Sequence, residues 1–220
     1  MPSHVVLLHG LGRTRASMLM PAVRLRAAGY LARNVGYPSR SLSLEALAER
    51  VAARLRDVPA PFHAVTHSMG GILVRMMARD PAFAARLDRV VMLGPPNNGS
   101  EIVDLLGEWA PFGWVNGPAG RQLATVPGDA TDALHARLGP VPFACGVIAG
   151  TKPLGPDISI AGRPLVPPPH DGKVSVASTR VDGMADHLAL PVGHTFMMND
   201  AAVLAAVRHF LEHGRFGERP

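Results

Sequence analysis

The residues that could carry out chemistry begin with Ser68, which stands between an apolar run at 62–65 and a helical pattern at 72–79. Small residues surround it in the segment Val65-Thr66-His67-Ser68-Met69-Gly70-Gly71. This order predicts a strand, a tight turn and a helix, with the serine at the apex, where its hydroxyl is lifted out of the sheet. The amides that begin the helix would lie directly behind that hydroxyl. The alternative interpretation is a serine that only caps the N-terminus of the helix.

A serine hydroxyl is a weak nucleophile near neutral pH and needs a general base, for which His194 is the best candidate. It follows Gly193 directly after the last predicted strand, at 187–192. His9 is the main rival, because it ends the first predicted strand and would lie at the same edge of a parallel sheet. We expect His9 to be structural and to hold neighbouring loops together.

The base in turn needs a group that orients it, and Asp171 is the candidate, in the segment His170-Asp171-Gly172-Lys173-Val174. A carboxylate followed by glycine and then an apolar residue favours a tight loop that aims the carboxylate into the site. Asp182 and Asp186 are the main alternatives, although both come near the start of the last strand, which should be its far end. Asp157 lies in a proline-rich stretch without such a context.

Two backbone amides are predicted to stabilise the oxyanion that forms in acyl transfer. The N–H of Met69 follows the serine and opens its helix. The N–H of Leu11 belongs to the turn His9-Gly10-Leu11-Gly12, where the glycines let the backbone approach a substrate closely.

The elements that must position these groups alternate between strand and helix along the chain. Strands are predicted at 4–9, 31–35, 62–65, 89–93, 143–149 and 187–192. Helices are predicted at 17–28, 44–55, 69–79 and 200–213. The alternation predicts right-handed crossovers and a parallel sheet with helices on both faces. Active-site residues then collect at the edge where the strands end.

The regular alternation breaks between residues 97 and 140, which we expect to form a lid-like excursion from a single domain spanning 1–220. Trp109, Phe112 and Trp114 fall in this excursion and could line a substrate pocket for an acyl chain. The alternative is that these aromatic residues only pack the excursion against the body of the protein. The stretch 151–170 is rich in proline and predicts no regular structure.

Composition narrows the class of protein. The chain has 220 residues, 47% of them hydrophobic, with a formal charge of +5. Its arginines are scattered along helices, which argues against a nucleic-acid partner but leaves open a weak preference for anionic surfaces. A single cysteine cannot form a cysteine metal cluster. His209 and His213 have the spacing of metal ligands on a helix, but Phe210 stands where a zinc protease has glutamate. We therefore expect neither a metal nor another cofactor. No apolar run approaches the ~20 residues of a membrane span, and no signal peptide is visible, so we expect a cytoplasmic protein without stable membrane anchoring.

Taken together, five segments of the chain resemble the α/β-hydrolase family. They are the serine turn, the His-Gly turn at 9–12, Gly94-Pro95-Pro96-Asn97-Asn98-Gly99-Ser100, the acid loop and Gly193-His194. The similarity is greatest to small bacterial lipases and esterases, and it covers essentially the whole chain. It implies a three-layer fold with a minimal sheet of about six strands, catalytic roles for Ser68, Asp171 and His194, and oxyanion roles for Leu11 and Met69. Two departures are the threonine at 66, where glycine is usual, and the lack of the first two strands of larger members.

The resemblance implies a serine hydrolase that cleaves carboxylic esters through an acyl-enzyme on Ser68. The expected partner is a small, fairly apolar ester, and no cofactor is expected. A thioesterase, an amidase or an acyltransferase would use the same three residues. A catalytically silent hydrolase fold that serves as a binding module is the alternative from another class. The sequence does not indicate the oligomeric state.

Overall fold

The main sheet has six parallel strands, as the alternating sequence pattern predicts. The structure is a computed structural model that describes residues 3–99, 117–120, 122–123, 137–153, 159–160, 163–164 and 166–217. The strands of the sheet are β1 His4–Leu8, β2 Leu31–Val35, β3 Phe62–His67, β4 Leu87–Leu93, β5 Ala144–Gly150 and β8 Asp186–Leu190. Their order across the sheet is β2-β1-β3-β4-β5-β8. The expected α/β architecture of about six parallel strands is therefore confirmed.

Two short strands, β6 Ser159–Ile160 and β7 Arg163–Pro164, form an antiparallel pair within the stretch that predicts no regular structure. Two residues of pairing are too few to leave a periodic pattern in the sequence, which explains the wrong prediction.

Five helices are described from end to end: α1 Leu19–Ala27, α2 Leu44–Arg54, α3 Met69–Met77, α4 Pro81–Ala84 and α5 Ala201–His213. Residues 117–120 are helical as well. Short 3-10 turns precede the first and the last of the five, at Arg15–Met18 and Met197–Asn199. Side-chain oxygens cap three helices: Ser43 caps α2, Asp80 caps α4 and Asp200 caps α5. Such caps satisfy N–H groups that have no partner inside the helix and so fix where each helix begins. The sequence pattern missed α4, which is only one turn long.

Two hydrophobic clusters cover the two faces of the sheet. Strand β1 shows the division, because Val6 and Leu8 join one cluster while Val5 and Leu7 join the other. Successive side chains of a strand point to opposite faces, so a continuous apolar run is the signature of a strand covered on both sides. Helices α2 and α3 supply the first cluster, and α1 and α5 supply the second.

The register of the sheet brings the chain segments that carry the candidate site residues to one edge. Leu8 of β1 lies beside Thr66 of β3, and His67 lies beside Leu93 of β4. The ladder continues past the strands, since the N–H of Ser68 donates to the carbonyl of Leu93 at 2.8 Å. Among the described residues, no helix is long and apolar enough to cross a membrane.

Candidate active site

Ser68 occupies a strained turn between β3 and α3. Its φ of 52° and ψ of −124° make it the only residue other than glycine with a positive φ in the described part of the chain. Holding such a conformation costs about 1–3 kcal/mol and is typical of functional sites. The side chain makes no capping hydrogen bond to α3. The interpretation of this serine as a simple helix cap is therefore wrong.

The small residue that the turn requires is Gly70. A Cβ atom at this position would lie 2.8 Å from the carbonyl oxygen of Leu8 and 3.0 Å from that of His9. These are backbone atoms, which cannot move aside as a flexible side chain can. Thr66, which replaces the usual glycine on the other side of the serine, is fully buried in β3. The sheet therefore accommodates that departure.

Asp171 and His194 form a buried pair. The Nδ1 atom of His194 lies 2.7 Å from Oδ2 of Asp171, and the N–H of His194 donates to the Asp171 carbonyl at 2.9 Å. The other carboxylate oxygen accepts the N–H groups of Lys173 at 2.9 Å and Val174 at 2.8 Å. A carboxylate only accepts hydrogen bonds, so the proton of the neutral imidazole is on Nδ1. Its Nε2 atom is left as the basic nitrogen.

The other carboxylates lie elsewhere or outside the described residues. Asp186 begins β8, at the opposite end of that strand from His194, and accepts the N–H groups of His187 and Phe216. Asp182 is exposed four residues before that strand. Asp157 falls among the residues that the structure does not describe. Of the described candidates, only Asp171 is paired with His194.

Two side chains hold the loop that carries His194, and the sequence analysis assigned neither of them to the site. Nε2 of His67 donates to the carbonyl of His194 at 3.0 Å, and the two imidazole rings are 4.9 Å apart. A guanidinium nitrogen of Arg13 donates to the carbonyl of Thr195 at 3.2 Å. The only signal in the sequence was the position of these residues, directly before the serine and directly after the His-Gly turn.

His67 is held in the neutral state. Its Nε2 atom faces a carbonyl and therefore carries the proton, while Nδ1 is buried and has no hydrogen-bond partner among the described residues. Burial places the pKa of this imidazole well below its ordinary value, and the neighbouring His194 lowers it further. His67 is therefore a fixed donor rather than a titrating group near neutral pH.

The His-Gly turn lies against the serine turn. A Cβ atom at Gly10 would be 3.1 Å from Cβ of Ser68 and 3.0 Å from Nδ1 of His67. His9 fixes the turn from the other side: its ring stacks on that of Tyr37 at 4.0 Å, and its Nε2 accepts the N–H of Tyr37 at 3.3 Å. The hydroxyl of Tyr37 donates to the His9 carbonyl. His9 is thus a structural residue, as expected.

The two predicted oxyanion donors face no competing acceptor. In the described part of the chain, the backbone N–H groups of Leu11 and Met69 donate to no other group. Met69 is the direct neighbour of the serine, and Leu11 follows Gly10, whose Cβ position lies 3.1 Å from Cβ of Ser68. Neither amide is engaged by another described group.

Between the hydroxyl of Ser68 and the ring of His194 there is no hydrogen bond among the described residues. In free enzymes such a contact is often long and shortens only when substrate binds. The segments that carry them are adjacent, because the N–H of Ser68 donates to the carbonyl of Leu93 and the next residue, Gly94, lies against His194. Gly94, at the end of β4, lies under the pair: its Cβ would be 3.1 Å from both Asp171 Oδ2 and His194 Nδ1.

The aromatic residues expected to line a substrate pocket, Trp109, Phe112 and Trp114, lie outside the described residues. Within the described ranges there is no group of three or more His, Cys, Asp or Glu side chains that could hold a metal ion. His209 and His213 stack at 4.2 Å on the exposed side of α5 and bond to backbone carbonyls.

Comparison with solved structures identifies the fold. The Bacillus licheniformis lipase BlEst2 is similar in its propeptide form, with a TM-score of 0.71 and 16% identity over 99% of this chain and 51% of that one. With the mature form of that lipase the TM-score is 0.69 and the identity 17%, and the match covers 97% of this chain and 92% of the lipase chain. A thermophilic esterase from Thermogutta terrifontis is also similar, with a TM-score of 0.60 and 16% identity. That match covers 97% of this chain and 91% of the esterase chain.

The chain therefore spans about half the length of the propeptide form and most of the mature form. No protein-family model and no curated protein matches the sequence. The expected structural resemblance to lipases and esterases is nevertheless confirmed, and the chain has the α/β-hydrolase fold.

Proposed function

We propose that this protein is a serine hydrolase that cleaves carboxylic esters through an acyl-enzyme on Ser68. The observation that carries the proposal is the buried hydrogen bond between Asp171 and His194, beside a serine in a strained turn. The segments that carry the serine, the histidine and the aspartate follow neighbouring strands of the parallel sheet, at the edge where ligands bind in open α/β folds, which supports a shared role. The lipases and the esterase that share the fold support the same class of reaction.

In the proposed reaction, Oγ of Ser68 attacks the ester carbonyl while Nε2 of His194 takes its proton. The carbonyl oxygen becomes an oxyanion and accepts from the N–H groups of Leu11 and Met69. Each such donor is worth about 2.7–4 kcal/mol of transition-state stabilisation. The carboxylate of Asp171 keeps the histidine ring oriented and stabilises its positive charge.

The tetrahedral intermediate then collapses, and the alcohol leaves with the proton held by His194. Water attacks the acyl-enzyme in the second half of the cycle, with His194 again acting as the base. The acid is released and Ser68 regains its proton. The expected substrate remains a small, fairly apolar ester.

The decisive test is an acyl-chain-length profile of wild type beside Ser68→Ala, using p-nitrophenyl esters from acetate to decanoate. We expect hydrolysis by wild type and none by the variant, with unchanged rates for Ser41→Ala, an exposed serine elsewhere. A fluorophosphonate should label Ser68 in wild type. Full activity in Ser68→Ala would refute the nucleophile, and inactivity of wild type without labelling would favour a silent binding module.

Matched ester, thioester and amide substrates would define the reaction further. An ester preference is expected. A faster rate on the thioester, or transfer of the acyl group to an added alcohol in place of hydrolysis, would overturn the assignment as an ester hydrolase while leaving the same nucleophile in place.

A further inference from the structure

The outward face of α1 is apolar where the surface of a globular protein is normally polar. Leu19, Met20 and Val23 are 55%, 44% and 48% exposed, while Ala22 and Leu25 on the opposite side are buried in the core. A helix turns about 100° per residue, so the three exposed side chains form one stripe. We call this stripe, completed by the exposed Ala27, the α1 outer face.

Positive charge borders the α1 outer face. The helical turn places Arg24 along one side of the stripe and Arg26 along the other, and both are exposed. The charge extends well beyond the helix, because residues 1–44 contain six arginines and no aspartate or glutamate: Arg13, Arg15, Arg24, Arg26, Arg33 and Arg40. The rest of the chain has slightly more acidic than basic residues. The net positive charge of the sequence is therefore concentrated in its first 44 residues, although Arg33 is paired with Asp57 at 2.7 Å.

The α1 outer face is connected to the candidate active site. Helix α1 packs against the 3-10 turn Met197–Asn199, which follows the loop of His194. On that loop Phe196 is 59% exposed, and the guanidinium of Arg13 lies 5.9 Å from the centre of its ring. Exposed apolar and basic side chains thus lie both on the loop of His194 and on the helix that packs against the turn following it.

A groove of about 460 Å³ between α1 and α5 continues this surface. Its lining is mostly apolar and includes Met20, Leu25, Leu204 and Val207, with Arg24 and Arg208 at its rim. None of the described residues that line the groove is acidic. The carboxylates at the two ends of α5 are Asp200, which caps the helix, and Glu212, which lies 3.7 Å from Arg208.

We propose that the α1 outer face docks reversibly on an anionic lipid surface and that this docking presents the candidate active site to esters held there. Exposed leucine, methionine and valine side chains can enter the acyl region, while the bordering arginines meet anionic headgroups. A second copy of this chain fits less well, since a symmetric contact would bring the arginines of both copies together. The delivery of esters rests on the proposed function, whereas the binding itself does not.

The test is co-sedimentation of the Ser68→Ala protein, which leaves the lipid intact, with vesicles. Phosphatidylcholine vesicles containing about 30% phosphatidylglycerol should bind the protein at least about tenfold more tightly than pure phosphatidylcholine, and high salt should abolish most of the difference. Equal binding to both vesicles, or none to either, would overturn the proposal.

Variants locate the surface. Leu19→Ser combined with Val23→Ser should weaken binding to the anionic vesicles by about tenfold or more, because the apolar side chains no longer enter the lipid. Arg24→Gln should weaken it by about fivefold. The matched controls are Leu31→Ser, equally exposed at 48% but at the amino end of β2, and Arg50→Gln on α2, which covers the other face of the sheet. Both controls should bind as the parent protein does.

Two further measurements separate the outcomes. The α1 variants in the wild-type background should hydrolyse a short water-soluble ester at the wild-type rate, which also shows that they fold. Failure of vesicle binding with intact ester hydrolysis would refute only the docking surface. Vesicle binding without hydrolysis would refute only the proposed function. A shift in oligomeric state by the double variant, seen in sedimentation velocity without any loss of vesicle binding, would assign the face to a second copy and overturn the proposal.

Discussion

Replacement of Asp171 by asparagine tests whether the buried pair organises the base. The carboxylate has two distinct oxygens: Oδ1 accepts the backbone N–H groups of Lys173 and Val174, and Oδ2 accepts the Nδ1–H of His194. In Asp171→Asn the amide oxygen must keep the position of Oδ1, because an NH₂ group there would face two donors. The NH₂ group is therefore forced towards His194.

An NH₂ group in that position reverses the hydrogen bond. It donates to Nδ1 of His194, so the proton of the neutral ring moves to Nε2, and the ring can no longer accept the proton of Ser68. This is the wrong tautomer for general-base catalysis. The same aspartate-to-asparagine change in a Ser-His-Asp triad lowers kcat by about 10⁴-fold. The fold should lose only about 1–2 kcal/mol, since a charged hydrogen bond is replaced by a neutral one of the same geometry.

The assay is kcat/KM on p-nitrophenyl butyrate, with urea unfolding of the same preparations. Asp186→Asn is the matched control, because Asp186 also accepts two backbone N–H groups but lies at the far end of β8. We expect Asp186→Asn to lose some stability and to keep its turnover within about twofold. A loss below about tenfold in Asp171→Asn, or equal losses in both variants, would refute the reasoning from the tautomer.

Three further predictions follow from the contacts of the site and its supports. Burial lowers the pKa of four histidines: His9, His63, His67 and His187. Below about pH 6.5 the unfolded chain therefore binds more protons than the folded one. The free energy of unfolding should fall on acidification by up to about 1.4 kcal/mol per pH unit for each group. Urea midpoints between pH 7.5 and 5 check this, and His67→Gln should give a shallower slope; an unchanged slope would contradict the assignment of His67. Gly150→Ala would place a Cβ atom 2.3 Å from the carbonyl of Val192 and 2.7 Å from Cβ of Asp171, so kcat should fall about 10²-fold. In Gly29→Ala the new Cβ meets no atom within 4 Å but φ is +91°, so this control should lose some stability and leave kcat unchanged. Arg75→Met removes the buried donors to Asn97 and Gly139 and should cost about 2–4 kcal/mol in urea unfolding; a cost below about 0.5 kcal/mol would show that this network is dispensable.

Much of the fold could be predicted from the sequence because its signals are local. Continuous apolar runs such as Val5 to Leu8 identify strands buried on both faces, and the apolar stripe of α2 with its Ser43 cap identifies that helix. The serine turn and the His-Gly turn are short motifs whose glycines and small residues are visible in the local sequence. The elements that the sequence missed, α4 and the β6–β7 pair, are too short to have a periodic pattern.

Only the tertiary structure decided which distant residues meet. The motif around Ser68 could not exclude a simple helix cap, and the folded turn does, because φ is positive there and the side chain makes no capping hydrogen bond to α3. Spacing could not choose among the carboxylates, because a loop of any sequence separation can close on His194; the hydrogen bond to Asp171 makes that choice. His67 bonds to a carbonyl 127 residues away, a contact that no local pattern records. The sequence by itself thus determined the strands, the turns and the types of polar group at the sheet edge, since these depend on neighbouring residues, while the packing of the sheet determined which of those groups come into contact.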